Sequence, residues 1–213
     1  MAKPDVIRLY RFALSGHSHR AELMLSLLGL HAELVDVDLA HGEHKQPPFL
    51  EKNRFGQVPV LEDGALTLSD SNAILVYLAL RYDPERRLYP SDPVGSAQVQ
   101  RWLSMAAGEL ASGPGLLRKS VLFRSPVDSS LARAGTAPFD RAGPEAIASQ
   151  LFQVLDDALA GRSYLVGDTL SIAFSEPVKT GSALSPANYS ITSNGVPISL
   201  VGATPSYVSA TNT

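Results

Sequence analysis

The start of the chain joins two patterns that only a few folds accommodate together. Residues 6–12 are rich in β-prone side chains, residues 18–30 repeat apolar side chains at helical spacing, and residues 33–39 return to the β-prone pattern. Two strands joined through one helix pair in parallel by a right-handed crossover. We therefore predict a βαβ unit, which restricts the first region to an α/β fold.

The next segment adds a hairpin and a helix to this unit. Asp63-Gly64 is a turn signal between two short apolar segments, and either Ser69 or Asp70 supplies the N-cap of the helix that follows. The order βαβ, α, ββα predicts a sheet of three or four strands with helices on both faces. The predicted elements are a short helix at 48–53, strands at 58–61 and 65–68, and a helix at 71–81.

Three prolines separate this α/β region from a helical one. Pro84, Pro90 and Pro93 cannot continue a helix, and they predict a linker between two domains. Helical spacing resumes after the linker. The predicted organisation is a first domain at 1–82, a linker at 83–93 and an all-α domain at 94–173, with helices at 94–110 and 144–159.

The composition excludes several classes of function. The 213 residues contain 18 Lys and Arg against 21 Asp and Glu, so the net charge of −3 lacks the basic excess that nucleic-acid binding needs. Zero cysteines exclude disulfides, thiolate metal sites and a cysteine nucleophile. No apolar run approaches the roughly 20 residues that span a bilayer, and the first residues lack a signal-peptide pattern. We expect a cytoplasmic protein that binds neither nucleic acid nor membrane.

Six short motifs occur in a fixed order along residues 6–173. Together they resemble the cytosolic glutathione transferases, in particular the serine-type bacterial and phi-like branch. The resemblance implies a thioredoxin-like domain that binds glutathione, an α-helical domain that shapes the electrophile site, and a homodimer. The motifs are Leu14-Ser15-Gly16-His17-Ser18-His19-Arg20, Gly42-Glu43-His44-Lys45, Phe55-Gly56-Gln57-Val58-Pro59-Val60-Leu61, Ser69-Asp70-Ser71-Asn72-Ala73-Ile74, Gln100-Arg101-Trp102-Leu103-Ser104 and Tyr164-Leu165-Val166-Gly167-Asp168.

The resemblance assigns catalysis to Ser15, which lies between the first strand and the first helix. A thiol with a pKa of about 8.5 is mostly protonated at neutral pH, so a transferase must stabilise the thiolate with a donor and positive potential. A serine hydroxyl at a helix N-terminus supplies both. The alternatives are that Ser15 only caps the helix, or that Ser18 is the cap or the donor.

The resemblance also assigns glutathione to further residues. Val58-Pro59 corresponds to a cis-proline turn at which the Val58 backbone pairs with the cysteinyl part of glutathione, and an ordinary trans proline is the alternative. Asp70 and Ser71, at a helix start, are implied to face the ammonium and carboxylate of the γ-glutamyl group. The residues implied for the glycyl carboxylate and the tripeptide backbone are His44, Lys45 and Gln57, each of which would otherwise be an ordinary surface residue.

Three further histidines of the first region invite a metal or acid–base hypothesis. His17, His19 and His41 lack carboxylate partners at ligand spacing, so we expect them at the surface or at the edge of a substrate site. The sequence therefore implies no metal, and glutathione is the expected co-substrate.

The last 40 residues differ from the rest of the chain. Residues 174–213 carry two charged side chains and 13 Ser or Thr, and the segments at 189–192 and 198–201 are β-prone around Asn194-Gly195. This tail resembles a fragment of a bacterial immunoglobulin-like surface domain. The helices that follow position 173 in the transferases have no counterpart. We therefore predict a junction near Ala173, a truncated helical domain, and a tail that is β-rich or disordered.

The leading functional hypothesis is a glutathione transferase in which Ser15 activates the thiol for attack on a small electrophile, with activity that the truncation would impair. One alternative is a glutathione-dependent isomerase or a peroxide or disulfide reductase on the same fold. Another is a non-catalytic protein that binds glutathione or a partner. A secreted adhesive module rests only on the tail and conflicts with the missing signal-peptide pattern.

Overall fold

A four-stranded mixed sheet forms the centre of the first region. The computed structural model describes residues 6–122, 142–162, 164–167, 191–193 and 196–198. Strand order is β2-β1-β3-β4, with β1 parallel to β2 and antiparallel to β3. This arrangement confirms the predicted βαβ unit, hairpin and thioredoxin-like fold. The strands are β1 Ile7–Arg11, β2 Ala32–Asp36, β3 Val60–Asp63 and β4 Leu66–Ser69.

The β3–β4 hairpin is shifted along the chain from its predicted position. Asp63 pairs with Leu66, so Gly64 and Ala65 form the connection, and Gly64 has a φ of 58°. Glycine adopts this left-handed conformation without the steric cost that a Cβ brings. The turn therefore follows the Asp63-Gly64 signal, and β3 and β4 extend outward from it.

Helices cover the sheet and continue beyond it. α1 lies between β1 and β2, and α3 follows β4 directly, as the apolar periodicity predicts. Among the described residues, none of the helices is long and apolar enough to cross a membrane. The helices are α1 Gly16–Leu27, a 3₁₀ turn at Glu43–Lys45, α2 Pro47–Leu50, α3 Ser71–Tyr82, α4 Pro93–Met105, a π-helical segment Ala106–Gly115, α5 Leu116–Leu122 and α6 Ala142–Leu159.

One apolar core joins the sheet to the helical region. Leu9, Met24 and Ile74 of the α/β region pack in the same cluster as Val99 and Trp102 of α4. Trp102 is 1% exposed, so its indole is removed from water by both regions. Apolar burial of this kind is the main favourable contribution to folding, which makes α4 part of the scaffold that holds the sheet.

The connection between α3 and α4 is held by a buried carboxylate. Asp83 is fully buried and accepts hydrogen bonds from the backbone N–H of Leu88 at 2.8 Å and from Nε of Arg87 at 3.3 Å. A buried charge requires such partners. The proline-rich segment is therefore an ordered turn, tied to the end of α3.

The helix after this connection leaves the α-helical pattern before its predicted end at residue 110. The periodicity at 94–110 predicts one α-helix, whereas α4 ends at Met105 and continues as a π-helical segment that contains Pro114. Proline has no N–H for the i to i−4 hydrogen bonds of an α-helix, and the π-helical hydrogen-bond pattern accommodates Pro114. A Cβ at Gly113 would lie 2.9 Å from Cγ2 of Ile147, so glycine there allows α6 to pack closely.

In the tail, two short strands pair across Asn194-Gly195. β5 Ile191–Ser193 is antiparallel to β6 Val196–Ile198, with Ser193 opposite Val196. Antiparallel pairing places both strands directly at the Asn-Gly signal, so they differ from the segments predicted at 189–192 and 198–201. The predicted junction near Ala173 and the other residues of the predicted immunoglobulin-like fragment lie outside the described residues.

Candidate functional site

Ser15 caps the helix that follows the first strand. Its backbone is extended, with φ −82° and ψ 119°, and its Oγ accepts a hydrogen bond from the N–H of Ser18 at 3.2 Å. The side chain is half-buried. Because the oxygen accepts from the helix, the hydroxyl proton of Ser15 is available for a second partner. Capping and donation to a thiolate are therefore compatible in this residue.

Ser18, the competing candidate, has a structural role. It is fully buried, and its Oγ accepts a hydrogen bond from the N–H of Phe12 at 3.2 Å, which fixes the end of β1 against α1. On the other side, Nη1 of Arg118 in α5 donates to the carbonyl of Leu14 at 3.1 Å. The segment before Ser15 is thus held from within the α/β region and from the helical region.

The first turn of α3 lies against the first turns of α1. Asp70 is the N-cap of α3: it has a φ of 75°, and its Oδ1 accepts from the N–H of Ala73 at 2.9 Å. Ser71 is 5% exposed. Its Oγ lies 3.1 Å from Nδ1 of His17 and accepts from Nη1 of Arg20 at 3.4 Å. Two helix N-termini and a buried guanidinium therefore meet, and all three favour an anion.

Arg20 is the residue that sequence reasoning missed, and the contact of His17 with Ser71 was not foreseen. Arg20 is 1% exposed although it is charged. His17, expected at the surface or at the edge of a substrate site, is half-buried and contacts Ser71. Both lie on α1 three positions apart, which places them on one face of the helix. The signal available in the sequence was the charge itself. Arg20 stands one residue before Ala21, which belongs to the apolar pattern of the helix and is buried, and a charge at such a position needs a partner.

The loop before β3 presents the predicted Val58-Pro59 turn. The Val58–Pro59 peptide bond is cis, as the resemblance implied. Asn53 is 7% exposed and organises the loop: its Nδ2 donates to the carbonyl of Gln57 at 2.8 Å, and its Oδ1 accepts from the N–H of Phe55 at 3.1 Å. The side chain of Gln57 is exposed and Val58 is half-buried, so both remain accessible at the start of β3.

The 3₁₀ turn with His44 and Lys45 packs on the same loop. Nζ of Lys45 donates to the carbonyls of Phe55 at 3.0 Å and Gly56 at 3.1 Å. Gly56 has a φ of 58°, and a Cβ there would lie 2.5 Å from the carbonyl oxygen of His44. An ammonium has three donors, so Lys45 keeps one for a ligand. The structure therefore places the turn with His44 and Lys45 against the loop that carries Gln57.

Two tyrosines with raised pKa values lie away from these residues, at the junction of β3 and α3. The hydroxyls of Tyr77 and Tyr82 donate to Oδ2 of Asp63 at 2.7 and 2.5 Å. Burial, and then the hydrogen bond to Asp63, raise the pKa of Tyr82 to about 12. Both hydroxyls are thus kept neutral, which suits a structural link and no proton transfer at neutral pH. Within the described part of the chain, no group of three potential metal ligands occurs.

The chain is similar to one family of enzymes. Residues 5–80 match the model of the "Glutathione S-transferase, N-terminal domain". Among curated proteins, it is 36% identical over 170 residues to "Glutathione S-transferase 3" of Zea mays, an alignment that covers 78% of this chain and 73% of the relative.

Solved structures give the same result. The chain resembles glutathione transferase F7 from Populus trichocarpa with a TM-score of 0.66 and 30% identity, over 79% of this chain and 78% of that one. It also resembles a glutathione transferase homolog from Drosophila mojavensis, solved with bound glutathione, with a TM-score of 0.66 and 27% identity over 79% and 73% of the two chains.

Proposed function

Because this chain belongs to the glutathione S-transferase family, we propose that its α/β region holds glutathione with Ser15 at the thiol and the first turn of α3 at the γ-glutamyl group. The chain is a glutathione transferase: glutathione is the co-substrate, and its thiolate is conjugated to an electrophile. The observation that carries the residue assignment is the meeting of the α1 and α3 N-termini around Ser71, at 3.1 Å from His17 and 3.4 Å from Arg20.

We assign Ser15 to the thiol, so the chain is a serine-type transferase in this proposal. The motifs that it shares with the bacterial and phi-like branch assign it to that branch. Its proton is available because its oxygen already accepts from Ser18. The N-terminus of α1 adds the equivalent of roughly half a positive charge, which stabilises a thiolate over a thiol. The sulfur then needs no general base at the moment of attack, since it is ionised before the electrophile arrives.

The γ-glutamyl group carries one carboxylate and one ammonium. We assign the carboxylate to the Ser71 hydroxyl and the N–H groups of the first turn of α3, with Arg20 behind them. Asp70 is assigned to the ammonium, because its carboxylate lies at the same helix start. Its Oδ1 accepts from the N–H of Ala73, so we assign its Oδ2 to the ligand. Opposite charges of the ligand thus meet opposite charges of the protein.

The rest of the tripeptide lies along the loop before β3. The backbone of Val58, at the Val58–Pro59 turn, is assigned to the cysteinyl peptide group as an added strand. The remaining ammonium donor of Lys45, with His44 and Gln57, is assigned to the glycyl end. Gly56 makes this arrangement possible, because a side chain at that position would displace the carbonyl of His44.

We also propose that two copies of the chain form a dimer through the first domain, 1–82, and the helix after the linker at 83–93. Large apolar side chains are exposed in both parts: Phe55 is 79% exposed and Val94 is 67% exposed. A dimer through these parts would cover such side chains, and contiguous apolar patches are typical of contact sites. Sedimentation of the purified chain at several concentrations measures the association.

Replacing the hydroxyl of Ser15 tests the proposed function. In Ser15→Ala, we expect kcat/KM for conjugation to fall by about 100-fold, because loss of one hydrogen-bond donor to an anionic reacting atom typically lowers the rate by this factor. Ser15→Thr is the matched control, since it keeps the hydroxyl and the cap. An unchanged kcat/KM in Ser15→Ala, with an intact melting curve, would contradict the assignment.

A further inference from the structure

The hydroxyl of Ser71 has two side chains of α1 within hydrogen-bond distance. Nη1 of Arg20 lies 3.4 Å from Ser71 Oγ, and Nδ1 of His17 lies 3.1 Å from the same atom. Ser71 is 5% exposed and Arg20 is 1% exposed, so water has little access to these contacts. Any ligand that reaches Ser71 therefore meets a hydroxyl whose orientation depends on its protein neighbours.

The number of protons in this cluster decides what Ser71 can offer. A serine hydroxyl has one proton and two lone pairs, and a guanidinium only donates. Arg20 therefore occupies one lone pair of Ser71. If Nδ1 of His17 carries a proton, it occupies the second lone pair, and the Ser71 proton must be directed elsewhere. If Nδ1 carries none, it accepts the Ser71 proton and leaves the hydroxyl with no donor for a ligand.

A carboxylate accepts hydrogen bonds and donates none. Binding of the γ-glutamyl carboxylate to Ser71 therefore requires the Ser71 proton, and this in turn requires His17 to be a donor. The resulting chain, from Nδ1–H to the hydroxyl and from the hydroxyl to the carboxylate, runs in one direction, and hydrogen bonds in such a chain polarise one another. A neutral imidazole with its proton on Nδ1 is sufficient.

We propose that His17 donates its Nδ1 proton to Ser71 and thereby directs the Ser71 proton to the carboxylate of the γ-glutamyl group. His17 is a positioning residue: it acts on the ligand through Ser71. The inference rests on the proposed assignment of Ser71 to this carboxylate. It adds that the affinity of the site for glutathione depends on His17, while ionisation of the thiol at Ser15 does not.

Substitution of His17 by an apolar side chain changes the affinity for glutathione in a direction that depends on whether Nδ1 donates or accepts. In His17→Leu the donor is lost, and the Ser71 proton is no longer directed, so we expect Kd and KM for glutathione to rise about tenfold while kcat is unchanged. If Nδ1 instead accepted from Ser71, the same change would release the Ser71 proton and tighten binding. His17→Asn is the matched control, because its amide N–H can take the place of Nδ1–H and restore the affinity.

The direct test is calorimetric titration with S-methylglutathione and with an analogue that lacks only the α-carboxylate of the γ-glutamyl group. We expect His17→Leu to weaken binding of S-methylglutathione and not of the analogue, and His17→Asn to restore it. In a Ser71→Ala background, His17→Leu should have no further effect. Melting curves of all variants establish that each one is folded.

Several outcomes would overturn the inference. Equal or tighter binding of S-methylglutathione by His17→Leu would contradict it, as would an equal loss for the analogue without the carboxylate. If Ser71→Ala itself left binding of S-methylglutathione unchanged, the proposed γ-glutamyl site would fail together with the role of His17. A loss in Ser71→Ala with none in His17→Leu would remove the role of His17 alone.

Discussion

The α/β region at 6–82 and the helical region that begins at Pro93 use buried polar side chains differently. Among the described residues, those that are polar and buried are Ser18, Arg20, Asn53, Ser71 and Asp83, and all of them precede α4. The buried side chains of α4 and α6 that the structure describes are apolar. Burial of a polar group costs free energy unless it is partnered. The α/β region bears this cost at Arg20, Asn53 and Ser71, which lie in or beside the proposed site, whereas the described buried side chains of α4 and α6 serve packing.

This difference separates two tasks of the protein. The residues that we assign to glutathione lie on β1–α1, the loop before β3 and the start of α3. The helical region supplies Trp102 to the core, and the guanidinium of Arg118 to the carbonyl before Ser15. In this assignment glutathione contacts the α/β region, and the helical region contributes to the shared core and to the segment before Ser15.

The largest expected effect is on the free energy of unfolding, at the core that the helical region shares with the α/β region. Trp102→Ala removes the indole from the shared core, and we expect the free energy of unfolding to fall by about 3–5 kcal/mol. Because both regions share this core, urea unfolding should remain a single transition at lower urea. Gln98→Ala, at an exposed position of the same helix, is the control and should change stability by less than about 0.5 kcal/mol. Two separate transitions would show that the two regions unfold independently, which would contradict a shared core.

A smaller effect is expected where the α/β region needs a glycine. Gly56→Ala places a Cβ 2.5 Å from the carbonyl of His44, whereas Gly29→Ala, at a φ of 65°, meets no atom within 4 Å. Both changes strain a left-handed backbone by about 1 kcal/mol, but only the first also displaces the turn with Lys45. Calorimetry should show weaker glutathione binding in Gly56→Ala alone. Equal binding losses in both variants would exclude a role for the contact with His44.

The smallest effect concerns a polar cluster of the α/β region that lies outside the proposed site. The pKa of Tyr82 is raised to about 12 in the folded chain, above its ordinary value of 10.0. The neutral phenol therefore stabilises the fold fully below pH 10, and this contribution is lost as the pH rises from about 10 to 12. Chemical unfolding of Tyr82→Phe should show a shallower loss of stability in this window than the unchanged chain. Glutathione affinity at neutral pH should be equal in both.

Sequence patterns predicted the α/β fold because its signals are local. The alternation of 6–12, the helical spacing that follows and the Asp63-Gly64 turn each depend on neighbours in the chain. Asp70, one of two candidate caps, is the N-cap of α3 because its Oδ1 reaches the N–H of Ala73 three residues on. The resemblance to the transferases, and not a local pattern, led to the assignments of Ser15 and Ser71 and to the cis Val58–Pro59 bond, of which the structure confirms the bond.

The features that sequence reasoning missed depend on contacts between distant segments. His17 and Ser71 are 54 positions apart, so no local pattern indicates that they meet. The change from α4 to a π-helical segment accompanies Pro114 and the close approach of α6 at Gly113, which periodicity within one helix does not report. Both features arise from packing, which the sequence specifies only through the whole fold.

The measurement that tests the central claim most directly is the pKa of the glutathione thiol bound to the protein, followed by the ultraviolet absorbance of the thiolate as the pH is raised. The account predicts a pKa well below the free value of about 8.5 in the unchanged chain and in Ser15→Thr, and a clearly higher value in Ser15→Ala, where only the N-terminus of α1 still favours the thiolate. A thiol pKa that is equally low in Ser15→Ala would contradict the claim that Ser15 stabilises the thiolate.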